Sequence, residues 1–183
     1  GVGLNPSRTG CLDAVNVFGY HYDVLSKSMV GGEEVGTLRF AHGNQAATSE
    51  DAVLKQPLIP RLIDELVVLG ALAMGRGGST LVQDAKELRV KESDRVVETA
   101  RVLRAFGADV KEREDGYLVD GGACLRPAEL DVGSDHRIAL TAAVLGAAAP
   151  GTSLLDNFGI ANVSYPSFLD DLKSVGARFE IKA

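Results

Sequence analysis

The stretch VVETARVLRAFGADV, residues 96–110, decides the fold. Val97, Ala100, Val102 and Leu103 recur at helical spacing, Phe106-Gly107 closes the run, and Ala108-Asp109-Val110 leads into a strand. Gly107 stands where the helix stops, because the residue just past a helix takes a positive φ that costs glycine little. The same amphipathic helix, glycine and strand recur as LDAVNVFGYHYDV from Leu12 and SFLDDLKSVGARFEI from Ser167, with Gly19 and Gly176 as the stops. The spacing predicts strands at 20–25, 109–112 and 178–181.

Two almost wholly apolar segments alternate with these. LIDELVVLGALAMGRGGSTLV from Leu62 and DHRIALTAAVLGAAAPGTSLL from Asp135 each read as helix, glycine and short strand, and they align at an offset of 73 residues. The amphipathic segments are offset by 88 and 69. A period of this length, built of strand, helix, strand, helix and two strands, is a βαβαββ unit, so the chain is an α/β (α+β) protein of repeated units. Residues 27–56 and 111–130 hold the outer strands, with Gly31-Gly32 and Gly121-Gly122 as turns. The first copy opens at Gly1-Val2-Gly3 without the strand that should precede its helix, and the last stops after a helix and one strand. The chain, beginning on Gly rather than Met, is therefore expected to be incomplete at its front, with residues 1–183 forming one undivided domain.

Composition narrows the function classes. Hydrophobic residues make up 45% and charged residues 24% of the 183, which is ordinary globular composition. The longest apolar stretch, 66–74, falls short of the roughly 20 residues of a membrane span and reads as a buried helix. A net charge of −6 disfavours a nucleic-acid surface but allows a small anionic substrate, which needs only a local cluster of cations. Cys11 and Cys124 are far apart and read as reduced, buried thiols of a cytoplasmic protein. His21, His42 and His136 lack ligand spacing, so no metal is expected.

Polar residues gather at helix starts. LRVKESDRV puts Arg89, Lys91, Glu92, Asp94 and Arg95 at the start of the 96–110 helix. SDHRI puts Asp135, His136 and Arg137 in the first turn of the second apolar helix, with Ser134 available as its cap. Asp64 lies near the start of the first apolar helix and maps onto Arg137 under the offset of 73; Ser7 and Ser164 map onto Arg95. Each alone reads more readily as a solvated ion pair or a dipole partner than as a site residue. Their shared place in the repeat argues for a site, since rotated copies point their helix N-termini to one end, and such an end suits anions.

LRVKESDRVVETARVLRAFGADV, SDHRIALTAAVLG and NVSYPSFLDDLKSVGA, in this order and with GVGLNPSRTG and LIPRLIDELVVLGALAMGRG, resemble the 3-phosphoshikimate 1-carboxyvinyltransferase (EPSP synthase) family over nearly the whole chain. The resemblance implies one lobe of a two-lobed enolpyruvyl transferase fold, three βαβαββ units about a pseudo-threefold axis, with the N-terminal lobe supplying the rest of the site. It also implies transfer of the enolpyruvyl group of phosphoenolpyruvate to the 5-hydroxyl of shikimate 3-phosphate by a cytoplasmic monomer without cofactor. Asp64 then matches the proton acceptor, Lys91 the contact to shikimate 3-phosphate, and Glu92 the donor to the methylene carbon of phosphoenolpyruvate. Arg95 and Arg137 match the two arginines that hold phosphoenolpyruvate, and Asp135 and His136 orient the cleft.

Two departures stand out. Val163, ahead of Ser164-Tyr165-Pro166, occupies a place where some members have a lysine contacting phosphoenolpyruvate, and Glu87 stands where some have an asparagine touching shikimate 3-phosphate. Neither receives a site role. The rival readings are the sister enzyme acting on UDP-N-acetylglucosamine, disfavoured by KESDR with SDHRI, and an RNA-associated binding module, disfavoured by the acidic balance. The 183 residues alone are expected to be inactive.

Overall fold

Helices α1 (Gly10–Val17), α3 (Arg95–Ala105) and α5 (Phe168–Ser174) end alike. In each, the glycine N–H donates to the carbonyl three residues back and the next residue's N–H to the carbonyl five back: Gly19 to Asn16 and Tyr20 to Val15, Gly107 to Arg104 and Ala108 to Leu103, Gly176 to Lys173 and Ala177 to Leu172. These are three copies of one Schellman stop, and the glycine φ values of 82°, 109° and 99° are what that stop requires. The repeat read from sequence is thus a repeat of backbone geometry. A second mark of it could not be read from composition. Asp84 and Asn157, the non-glycine residues with positive φ among those described, lie 73 positions apart, at the offset of the apolar segments.

The computed structural model describes residues 1–40 and 50–181. One whole unit is present: β4 (Ala52–Leu54), α2 (Leu66–Gly75), β5 (Ser79–Val82), α3, β6 (Asp109–Arg113) and β7 (Gly116–Asp120). Its sheet runs β4-β5-β7-β6, with β4 and β5 parallel and the other pairs antiparallel. The first sheet repeats the second half of that order. β1 (Val2–Gly3) and β2 (Tyr22–Val30) flank β3 (Glu33–Phe40), both antiparallel to it. The third repeats the first half, β8 (Glu129–Asp131) lying parallel to β9 (Leu154–Asp156), with α4 (His136–Ala148) between them in the chain.

Helices α2, α3 and α4 pack on one another and form the core with Phe18, Leu62 and Tyr117. Gly70 of α2 has a packing reason: a Cβ there would stand 3.0 Å from Leu103 Cδ1 and 3.2 Å from Tyr117 Oη. That hydroxyl, wholly buried, donates to the Leu66 carbonyl at 2.5 Å, and burial pushes its pKa well up. Among the described residues no helix is long and apolar enough to cross a membrane.

Several expectations are corrected. A strand does precede α1, because Val2 and Gly3 pair with Gly36 and Val35 along the open edge of β3. Residues 178–181 form no strand: the equivalent β6 is held by β7, and no described strand lies beside 178–181. α2 begins at Leu66 rather than Leu62; the 3-10 turn Ile59–Arg61 and a short turn precede it, and the Arg61 guanidinium donates to Pro6 O, Asp13 and Thr9. On α3 it is Val96, not Val97, that is buried with Ala100 and Leu103. Both cysteines are free thiols, but Cys11 is half-buried and Cys124 exposed. His42 lies outside the described residues.

Candidate active site

Two helix starts are capped by carboxylates, and each cap doubles as an anchor. Asp94 accepts from the N–H groups of Val96 and Val97 at 3.1 and 3.2 Å, while its other oxygen accepts from Arg89. Arg89 also donates to the carbonyls of Arg113 and Glu114, so it ties the start of α3 to the β6–β7 turn and takes no part in the cluster described next. The cap of α4 is Asp135, not Ser134, with Oδ1 accepting from the Arg137 N–H at 3.0 Å. A carboxylate at this place also favours the positive end of the helix dipole.

Arg95, the first residue of α3, points into the space between the starts of α2, α3 and α4, and its side chain is 1% exposed. Its Nε donates to Asp135 Oδ2 at 2.8 Å and Nη2 to Asp135 Oδ1 at 3.2 Å, so one edge of the guanidinium is held by both oxygens of one carboxylate. The other edge, Nη1 and Nη2, meets Asp64 Oδ1 at 3.1 Å and Glu92 Oε2 at 2.6 Å. Burial alone would lower the pKa of Arg95, but Asp135, Glu92 and Asp64 outweigh it and raise it. Burial alone would likewise raise that of Asp135, and hydrogen bonds from Arg95, Ser93 and the Arg137 N–H hold it below the usual carboxylate range.

Asp64 joins the remaining cations. Its Oδ1 lies 3.9 Å from Lys91 Nζ, its Oδ2 3.5 Å from Arg137 Nη2, and its carbonyl accepts from Arg137 Nη1 at 3.3 Å. Asp64 and Arg137, equivalent by the offset of 73, thus meet across the centre. Lys91 is paired more closely with Glu87 Oε1, at 2.7 Å on the preceding turn. The structure therefore gathers Asp64, Lys91, Glu92, Arg95 and Arg137. It leaves out Ser7, exposed and bonded to Asn5 Oδ1, and the exposed Val163 and Ser164. His136 opens α4, half-buried.

Sequence reading missed two members. Ser93 Oγ donates to Asp135 Oδ2 at 2.9 Å, and Glu87 closes on Lys91. The second had a signal in its i, i+4 spacing; the first had none, since Ser93 and Asp135 are 42 residues apart. Among the described residues no three His, Cys, Asp or Glu side chains converge as ligands of a metal would. A half-buried set of two arginines and a lysine beside carboxylates at helix starts is equipped to bind an anion and to move a proton next to it.

Comparison with known proteins bears on what that anion is. The sequence model of the EPSP synthase (3-phosphoshikimate 1-carboxyvinyltransferase) family matches residues 22–172. A 3-phosphoshikimate 1-carboxyvinyltransferase of Parasynechococcus marenigrum (strain WH8102) is 43% identical over 171 residues, which is 93% of this chain and 38% of that protein. One from Roseiflexus sp. (strain RS-1) is 43% identical over 178 residues, 97% and 40%. The chain thus spans about two fifths of the length of these curated relatives. Among solved structures, an EPSP synthase of Acinetobacter baumannii superposes with a TM-score of 0.92 at 28% identity, over 100% of this chain and 42% of that one.

Proposed function

Since the chain belongs to the EPSP synthase family, we propose that it supplies the carboxylate and arginine side of a site that transfers the enolpyruvyl group of phosphoenolpyruvate to the 5-hydroxyl of shikimate 3-phosphate, releasing phosphate. The observation that carries this reading is Asp64 set among Lys91, Arg95 and Arg137 at the converging helix starts. Three cations there suit two phosphorylated substrates, and a carboxylate among them is within reach of a hydroxyl that must lose its proton.

The residues take these roles. Lys91 binds shikimate 3-phosphate, and Asp64 accepts the proton of the attacking hydroxyl. Glu92, in its protonated form, delivers a proton to the methylene carbon of phosphoenolpyruvate as the hydroxyl oxygen bonds to its neighbour, giving a tetrahedral ketal; phosphate then leaves with the proton held by Asp64 while the methyl carbon returns a proton to Glu92 and the double bond re-forms. Arg95 and Arg137 hold phosphoenolpyruvate through planar guanidinium groups that stay charged throughout. Arg95 has one edge for this, the Nη1 and Nη2 edge now facing Asp64 and Glu92. Glu92, 52% exposed and held by that one arginine, is the carboxylate that yields. Binding of phosphoenolpyruvate therefore releases Glu92 from its guanidinium partner, and the freed carboxylate takes up a proton from solvent before it acts as the donor.

In this reading residues 1–183 belong to the C-terminal lobe, a second lobe completes the site, and the whole enzyme is a cytoplasmic monomer without metal or organic cofactor. The test is to combine the chain with the remaining part of a full-length relative and follow phosphate release. Release that requires shikimate 3-phosphate, is not supported by UDP-N-acetylglucosamine, and is absent from the 183 residues alone is the expected result. Release driven by the UDP-sugar, or robust turnover by this chain unaided, refutes the reading.

A further inference from the structure

A guanidinium offers two edges on which an anion can sit with two hydrogen bonds, Nε with one Nη, or both Nη together. In Arg95 the first edge is closed by Asp135 at 2.8 and 3.2 Å. Asp135 is the least exposed carboxylate of the cluster, at 2%, and is itself fixed by two donors that are not Arg95: Ser93 Oγ at 2.9 Å and the Arg137 backbone N–H at 3.0 Å. One side chain therefore sets the plane and direction of the Arg95 fork and caps the helix turn from which Arg137 projects. It meets Nη2 only from the Nε side, leaving the outward hydrogens of Nη1 and Nη2 to other partners, and the Arg137 side chain is held by Asp64, so Asp135 acts on both arginines from behind.

We propose that Asp135 is the positioning residue of the anion site: by closing the Nε edge of Arg95 it presents the Nη1 and Nη2 edge as the one place where a carboxylate or phosphate docks. The inference rests on the role given to Arg95 above, and it goes beyond that reading in separating the arginine that binds from the carboxylate that aims it. Without the clamp the guanidinium turns about its last side-chain bonds and shares its donors among Glu92, Asp64 and the ligand. Affinity for the anion on Arg95 falls, while the substrate on Lys91, held from the turn before α3, is unaffected.

Two variants divide the functions of Asp135. Asp135→Ser keeps a capping oxygen for α4 and removes the clamp; Asp135→Asn keeps the shape and one acceptor and removes the charge. Equilibrium binding of phosphoenolpyruvate and of shikimate 3-phosphate to the full-length enzyme is measured for each by calorimetry, with circular dichroism to verify the fold. Affinity for phosphoenolpyruvate at least tenfold weaker, with that for shikimate 3-phosphate within twofold of the parent, is the expected result; should the serine variant not fold, the asparagine variant is read in the same way. Equal loss for both substrates assigns Asp135 a general structural role and overturns the inference, as does unchanged phosphoenolpyruvate binding. A parent enzyme that releases no phosphate from the two substrates sinks the functional reading instead, and the binding comparison still decides the role of Asp135.

Discussion

Replacing Arg95 by methionine removes a buried cation and keeps most of its volume, and the consequences can be worked through carboxylate by carboxylate. Glu92 is 52% exposed and returns to water at negligible cost. Asp64 keeps Lys91 and Arg137. Asp135, 2% exposed, is left with Ser93 Oγ and one backbone N–H. Breaking a buried pair by removing one partner costs about 3 to 5 kcal/mol, and the two remaining donors put Arg95→Met at the lower end, about 3 kcal/mol at pH 7. With m near 2 kcal/mol/M this is a fall of about 1.5 M in the urea midpoint, or about 6–12 °C in Tm for a chain of this size. The pH dependence follows from the direction of the Asp135 shift. In the parent the carboxyl lies below its ordinary value, so its stabilisation is present above the unfolded pKa and is lost as pH falls through the folded one. In the variant, burial without the cation raises it, so the penalty is relieved as pH falls. The gap between the two proteins should be widest near neutrality and narrow toward pH 4 in urea titrations followed by circular dichroism. A gap under 1 kcal/mol, or one independent of pH, would refute the account of Arg95 as the counter-ion of Asp135.

In the full-length enzyme Arg137→Ala should lower kcat/KM for phosphoenolpyruvate by about 2–4 kcal/mol, the range for removing one anion-stabilising donor; an unchanged rate removes Arg137 from the site. Glu92→Gln should separate binding from chemistry, raising affinity for phosphoenolpyruvate by up to about fivefold, the scale of one exposed ion pair, while turnover collapses. Weaker binding would show that Glu92 supports the anion instead of competing with it. Tyr117→Phe takes the donor from the Leu66 carbonyl and should cost about 1–2 kcal/mol in urea unfolding with m unchanged.

What sequence conveyed was the local geometry. Phe18-Gly19, Phe106-Gly107 and Val175-Gly176 are stops because of the φ they adopt within a few residues, and each forms the same pair of hydrogen bonds. What it did not convey depends on partners distant in the chain. Arg61, in the turn ahead of α2, reaches residues 48 to 55 positions away, and 178–181 pairs with no described strand because strand formation is a property of pairs. The candidate site divides in the same way. Its members were found at helix starts and by the family motifs; Asp64 and Arg137 share one place in the repeat and do meet, whereas Ser7 and Ser164, which share that of Arg95, lie outside the cluster. The saturation of Arg95 was not legible beyond its i, i+3 partner Glu92, because Asp64 and Asp135 reach it from segments 31 and 40 residues away.

The cluster as it stands holds four carboxylates, Asp64, Glu87, Glu92 and Asp135, against three cations, Lys91, Arg95 and Arg137. A site with that balance cannot take a multiply charged anion by adding it to what is present; it must exchange one of its own carboxylates for the ligand. The carboxylates differ in how they are held. Asp135 is buried with four donors, and Asp64 lies among three cations, whereas Glu87 and Glu92 are 65% and 52% exposed with one cation each. Glu87 leaves Lys91 and Glu92 leaves Arg95 at little cost, since both regain water. On the proposed roles the two exchanges fall on different cations, so each substrate would displace its own carboxylate. With Glu87 and Glu92 moved away, Asp64 and Asp135 stand against Lys91, Arg95 and Arg137, a local excess of one positive charge, so in the proposed reading most of the charge of two phosphorylated substrates must be met by the second lobe.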